Sequence, residues 1–531
     1  MLNSRIQVWL LVLSGAAGLA CSGEAGDLEA FENTGAAASP LTAAERLAAC
    51  QQDPRVVAGL VTKEICAGAD IFFRETFNGN GRTCGSCHPA SNNTTLDPPF
   101  IAELRATNPN DPLFVFETNP DLAELETSDL LNFAAILENV DGFQDPTRRF
   151  VSRTVSHVLS LATSMTRDPA DGTASPPLER TGWGGDGVGD GSLRAFLEGA
   201  VVQHFPKNLA RRPNVDFRVP TAQEADLTRT FQLSLGRLNE LDLNQVRISD
   251  PEGEEGRKAF LDPMRGRCNV CHLNAGANFI DSGKNRNLDN GVRLAGSVNL
   301  LTHGEIDGVR INDAGFGGQD LTEPNVDVVG VGFNNGFGDL TFSPPPLIEA
   351  ADTPPFFHNA FKAFSNTPDD LDGAIRFYSF PAFNLSLGGQ MLEQRFGTPL
   401  ELFAADAFAI GRFLRVLNAA LNTDIARQRL EAAKTLASRF RDRRADIQKR
   451  LMELAAVEID DALQVLTERD IYPLARERLT QAKAEIALGL AASSWSVRLN
   501  RADNARSRCL NARDLYGSNI QFVLGTGNLM F

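Results

Sequence analysis

Cys84-Gly85-Ser86-Cys87-His88 and Cys268-Asn269-Val270-Cys271-His272 decide how this sequence is read. Each is C-x-x-C-H, the attachment pattern of a c-type haem. Two thiols at that spacing can add to the vinyl groups of one porphyrin. The adjacent histidine then reaches the iron as proximal ligand. Other readings explain less. A zinc ribbon wants its C-x-x-C pairs about 15–20 residues apart, and these lie far beyond that. A thioredoxin-like redox motif has no need of a histidine after each pair. Disulfides within each pair are open to an exported chain, yet histidine fills only 6 of 531 positions. Its presence after both pairs by chance has odds of roughly 1 in 10⁴. The pentads therefore imply two covalent haems, attached at Cys84, Cys87, Cys268 and Cys271, with iron ligands His88 and His272.

Export follows from the N-terminus. Arg5 precedes an apolar run, Ile6 to Ala20, of the length of a secretory core and short for a membrane span. The run closes as Gly18-Leu19-Ala20-Cys21-Ser22, which resembles a bacterial lipobox with Cys21 as the lipidated residue. Ordinary cleavage after Ala20 is the alternative. The expected place is the periplasm, with a lipid anchor to the outer membrane as the only membrane contact. Haem attachment outside the cytoplasm fits this. The charge balance is 51 Lys+Arg against 67 Asp+Glu, a net of −16, which argues against a nucleic-acid partner.

The rest of the chain reads as mainly α. Residues 1–20 are the signal peptide and 21–40 a flexible tether. Two cytochrome c-like haem domains with long loops follow at 41–245 and 246–420, then a helical extension at 421–531. Helical patterns run from Leu41 to Phe77 with Thr42 as cap, Leu122 to Leu137, Leu193 to Phe205, Thr221 to Leu241 and Pro251 to Asp262. Residues 273–345 read as loops with a short hairpin. Arg412 to Tyr472 holds no Gly or Pro and implies a long helix or a helical hairpin. Its charge run, Arg439 to Arg444, reads as a solvated face, with an interaction surface as the alternative. Of the other cysteines, Cys50 and Cys66 are expected to pair, leaving Cys509 a lone thiol; a bond from Cys509 to either stays open.

Two widely spaced pentads in an exported chain resemble the bacterial dihaem cytochrome c peroxidase and MauG family. Trp183, within Gly182-Trp183-Gly184-Gly185-Asp186-Gly187, resembles that family's tryptophan between the haems. Thr353-Pro354-Pro355-Phe356-Phe357-His358-Asn359 resembles its T-A-P-Y-F-H-D segment, and Asp370 to Tyr378 the helix whose last position ligates the second haem from the distal side. Ala405 to Leu417 is similar to its closing helix. The likeness covers residues 45–420. It implies an electron-transferring oxidoreductase that handles peroxide or oxygen and takes electrons from a small redox protein or small-molecule donor. It also allows a Ca²⁺ between the domains, for which no ligand run stands out.

Departures from the family fall in the first haem's distal pocket. No histidine lies between His88 and His157, and Gln203-His204 stands where the family carries its acid. Ile348-Glu349 stands where an arginine is usual. His204 is thus the candidate acid–base group or ligand, with Gln203 and Trp183 beside it as catalytic candidates; a hydrogen-bonded helix-end histidine is the plain reading. His358 would lie near the second haem as a hydrogen-bonding group. His157 reads as core or as lining the first pocket, and His303 as exposed. Tyr378 is the candidate second-haem ligand, because MauG carries Tyr there and the peroxidases Met; Met391 is the substitute. A non-enzymatic electron carrier and an oxygenase of the rubber-oxygenase type are the rival functions.

Overall fold

Thr42 starts the first helix in the way its spacing to Glu45 predicts. Glu45 N donates to Thr42 Oγ1 at 3.2 Å, and Thr42 N donates to Glu45 Oε2 at 2.7 Å. The helix so capped, α1, spans Ala43–Cys50. The computed structural model that shows this describes residues 41–123, 126, 128–139, 150–168, 179, 192–292, 304–306, 309–311, 341–360 and 370–531. Helix α2 (Lys63–Arg74) begins at Thr62, whose hydroxyl accepts from Ile65 N. A Cys50–Cys66 disulfide ties α2 to α1, and Cys509 stays a buried free thiol. The first pentad forms a single helical turn, α3 (Cys84–Cys87).

The helix expected from Leu122 to Leu137 is broken. Short turns at Pro120–Ala123 and Ser128–Phe133 are followed by a strand, β1 (Ala135–Asn139), paired antiparallel with β2 (Phe150–Thr154). Ala134 takes a φ of 53°, which a right-handed helix cannot continue through. Ile136 and Leu137 are both buried, so apolar content here served a ladder and not a helix face. Helix α4 (Leu193–His204) is capped by Ser192. Helix α5 (Ala222–Gln232) carries the expected Thr221–Glu224 capping box and ends earlier than the pattern suggested. It packs on α2 so closely that a Cβ on Gly68 would lie 2.0 Å from the Leu227 carbonyl oxygen.

Strand β3 (Arg247–Ile248) leads into α6 (Pro251–Leu261). The loop-rich stretch holds a hairpin, β4 (Gly304–Ile306) and β5 (Val309–Ile311), which extends the first sheet in the order β1-β2-β4-β5. Helix α7 spans Leu371–Phe377. The Gly/Pro-free stretch is a hairpin: α8 (Ala404–Phe440), a reversal at Arg441–Arg444, and α9 (Ala445–Thr467). Arg441, at φ 55°, makes the turn, and with Arg439 and Arg443 it is exposed. Helices α10 (Pro473–Leu490) and α11 (Trp495–Arg513) complete the four.

Most of helix α8 is buried, small and aliphatic residues together with Arg415, Asn418, Asn422 and Arg429. It runs through residue 420 without a break, packing on α6 and α7 with one half and on α9 and α11 with the other. The chain's end turns back toward the first pentad. Strand β6 (Gly517–Ser518) pairs with β3, and Phe531 packs edge-on against Phe73 and Phe231. One continuous core thus reaches from Ala43 to Phe531. A separate cluster lies beside each pentad, around Leu96 and Leu113 at the first and around Phe279 and Phe377 at the second. Among the described residues no helix is long and apolar enough to cross a membrane.

Candidate functional site

The two pentads fold alike. His88 N donates to Cys84 O and His272 N to Cys268 O, both at 2.9 Å. The histidine backbones match, with φ/ψ of −124°/62° at His88 and −125°/62° at His272. Each ring is held at Nδ1. His88 Nδ1 donates to the Thr94 carbonyl at 2.8 Å; His272 Nδ1 faces the carbonyls of Gly276 and Pro345, both at 3.1 Å. That bond sets the tautomer and leaves the Nε2 lone pair for another partner, the arrangement of a ligating histidine. Burial pushes both imidazoles down to about 4, so they are neutral at ordinary pH.

All four pentad cysteines are free thiols. Burial pushes Cys84, Cys268 and Cys271 up to about 12 and Cys87 up to about 11. A thioredoxin-like motif does the opposite, lowering its thiol to hold a thiolate. Among the described residues no group of three or more His, Cys, Asp and Glu is placed to hold a bare metal ion.

The second pentad borders a cavity. Cys268, Cys271, His272, His358 and Tyr378 all line it, and most of the remaining wall is aromatic or aliphatic. Tyr378 caps α7 and sets its ring edge-on to Phe383, with centroids 4.8 Å apart. Its hydroxyl has no hydrogen-bond partner among the described residues. Burial first, and the two thiols next, raise its pKa, so it is a neutral phenol until something binds it. His358 is buried and stacks on Phe342 at 3.9 Å. His157, read as core or as lining the first pocket, lines this second cavity and is also near enough to His88 to help depress its imidazole. Met391 packs against the neighbouring cluster and does not line the cavity.

The first pentad has charged company. Arg82, two residues before Cys84, forms a buried ion pair with Glu126, Nη2 to Oε2 at 2.5 Å, with side chains 1% and 3% exposed. Arg82 also donates to the carbonyls of Pro112 and Leu113. Burial pushes the Glu126 carboxyl up, but Arg82 more than offsets this and holds it below its ordinary value. His204, at the end of α4, comes to the same place; Asn80 Nδ2 donates to its carbonyl at 2.9 Å. Burial pushes its imidazole down to about 3. Glu126 pulls the other way, while Arg82, Arg211 and His88 add to the depression. Gln203 is buried, its carbonyl accepting from Arg211 at 3.3 Å.

The structure therefore brings His204 and Gln203 to the first pentad, and Tyr378 and His358 to the second. Trp183, Cys21 and His303 lie outside the described residues. Glu126 was missed. Its partner stands 44 residues away, and nothing in its local sequence marks it. Comparison with protein-family models, with curated proteins and with solved structures finds no match to this chain.

Proposed function

We propose that the chain is an exported dihaem c-type oxidoreductase of peroxidase type. It would reduce hydrogen peroxide, or use it to oxidise a substrate, with electrons from a small redox protein or a small-molecule donor. The reading covers two cytochrome c-like domains, and lipid attachment at Cys21 in the periplasm. The observation that carries it is the repeated pentad geometry, with both Nδ1 atoms tied to carbonyls, both Nε2 atoms free and four unpaired thiols.

The residues present fit the group. Cys84 and Cys87, and likewise Cys268 and Cys271, would form its thioethers; His88 and His272 would present Nε2 to iron; and Tyr378 stands at the second cavity with a hydroxyl free to ligate. When bound, haem supplies the electron transfer and the activation of peroxide. The protein's part at the first site is proton handling. Cleaving peroxide requires moving a proton from one oxygen to the other. His204 is neutral and so able to accept it. Its depressed pKa makes it a weak base alone, and Glu126 is the group that stabilises the cation formed. Arg82 keeps Glu126 ionised. Trp183 would carry electrons between the sites.

The test is peroxide consumption by haem-loaded protein with a reduced donor. Turnover that falls steeply in His204→Ala supports the peroxidase reading. Absence of turnover, with neither cyanide nor carbon monoxide binding either iron, would leave an electron carrier instead. Oxygen uptake without peroxide turnover would point to an oxygenase.

A further inference from the structure

The pentads are joined by a short hydrogen-bonded path through Thr94. On one side the Thr94 carbonyl accepts from His88 Nδ1 at 2.8 Å. On the other, its hydroxyl oxygen accepts from Val158 N at 3.2 Å. The next residue repeats the attachment, Thr95 Oγ1 donating to the Val155 carbonyl at 2.6 Å. Between those anchor points stands His157, whose side chain lines the cavity at His272.

The same segment is fastened to the second site. Thr154 N donates to the His358 carbonyl and Thr154 Oγ1 to the Phe357 carbonyl, both at 2.8 Å. Ser160 Oγ donates to Glu349 Oε1 at 2.6 Å. Residues 154–160 therefore run between the loop that orients His88 and the wall of the second cavity. His157 Nδ1 is buried and makes no hydrogen bond of good geometry; the Leu159 backbone, Glu349 and Arg237 are the polar groups around the ring.

Thr94 is held at a cost. It is 1% exposed and takes a φ of 55°, directly after Asn93 at 52°. A β-branched residue rarely adopts that conformation, which strains it. The second pentad's loop has two successive left-handed residues as well, Asn274 and Ala275. There the second position is an alanine, with no hydroxyl. At the first pentad a threonine is retained, and its hydroxyl is the atom that reaches the inter-site segment.

The geometry points to Thr94 and His157 as the coupling route between the two sites. A change in the group held by Cys268, Cys271 and His272 is felt at His157. It passes through Val158 N and Thr94 to the hydrogen bond that sets the orientation and basicity of His88. Thr94 and His157 are positioning residues. The inference rests on the reading of both pentads as haem sites.

The experiment uses full-length, haem-loaded protein. Covalent haem is counted first, after denaturation; a chain with none overturns the haem reading itself and is told apart at that step. The first haem's midpoint potential and visible spectrum are then measured with the second haem oxidised and reduced. The wild type should show a shift in both. Thr94→Val, which removes Oγ1 and keeps the carbonyl, should lose the shift; Thr94→Ser should retain it. His157→Phe should also lose it, and carries the test if Thr94→Val does not load. The double variant should do no more than either single one, because residues on one route are not additive. A wild type without a shift, a Thr94→Val that keeps it, or additive losses would each overturn the proposal.

Discussion

The first pentad has a buried ion pair and a histidine beside it, whereas the second borders a mainly apolar cavity. Beside His88 lie His204, Glu126, Arg82 and Arg211; beside His272 lies a mainly apolar cavity with one free phenol, Tyr378. The backbone of the two histidines is the same within a degree. The difference therefore lies not in how a group would be held but in what surrounds it. A charged pocket can move protons and stabilise developing charge. An apolar one sets a potential through ligand and burial, and excludes water. Identical anchors in unlike surroundings are what a division into a reacting site and an electron-relaying site requires.

The strongest way to break the comparison is to remove one anchor. Cys84→Ala with Cys87→Ala should leave a single covalent haem, and Cys268→Ala with Cys271→Ala should leave the other. Visible spectra after denaturation count them; two haems surviving in either variant would refute that site's assignment. Next in size is the first pocket, where the proposal puts the reaction. His204→Ala should lower peroxide turnover about 10²–10⁴-fold. Tyr378→Phe should change the second site's ferric spectrum and raise its potential, with a smaller effect on turnover. If the two variants exchange these phenotypes, the roles of the sites are reversed.

The ion pairs sharpen the contrast further. Arg82→Ala would strand Glu126 in the interior and should cost about 3–5 kcal/mol in denaturant unfolding. Arg395 and Asp281, an exposed pair near the second pentad with side chains 36% and 57% exposed, should contribute only about 0–1 kcal/mol. Equal losses from Arg82→Ala and Arg395→Ala would deny the first pocket its special electrostatics. A further effect concerns pH. His204 is held at about 3 when folded, below its ordinary value of 6.5. Below pH 6.5 the unfolded chain binds a proton that the folded chain refuses, so stability falls as pH drops from 6.5 toward 3. His204→Gln should make that slope shallower, the rest coming from His88 and His272, which burial depresses as well; an unchanged slope would remove His204 from the buried pocket.

Much of this was legible because the signals are local. The capping boxes at Thr42 and Thr221 need only residues three apart, and each pentad only five consecutive positions. Tyr378 and His358 could be placed by resemblance, and both line the second cavity. What escaped is long-range. Glu126 acquires meaning from Arg82 across a loop. Ala135–Asn139 looked helical by composition and became a strand because Phe150–Thr154 offers it a partner. His157 gained its position from the hydrogen bonds that its neighbours Val158 and Val155 make with Thr94 and Thr95. Nor does anything near Phe531 announce that it packs against Phe73 of α2.

The central claim is that both pentads carry covalent haem. Its most direct measurement is the intact mass of the full-length chain, expressed in a host that matures c-type cytochromes and stripped of non-covalent ligands by acid and organic solvent. The account predicts a mass raised by two haems, with peptide fragments bearing one at Cys84 and Cys87 and one at Cys268 and Cys271. A chain of unmodified mass, or one with a disulfide closing either pentad, would contradict it.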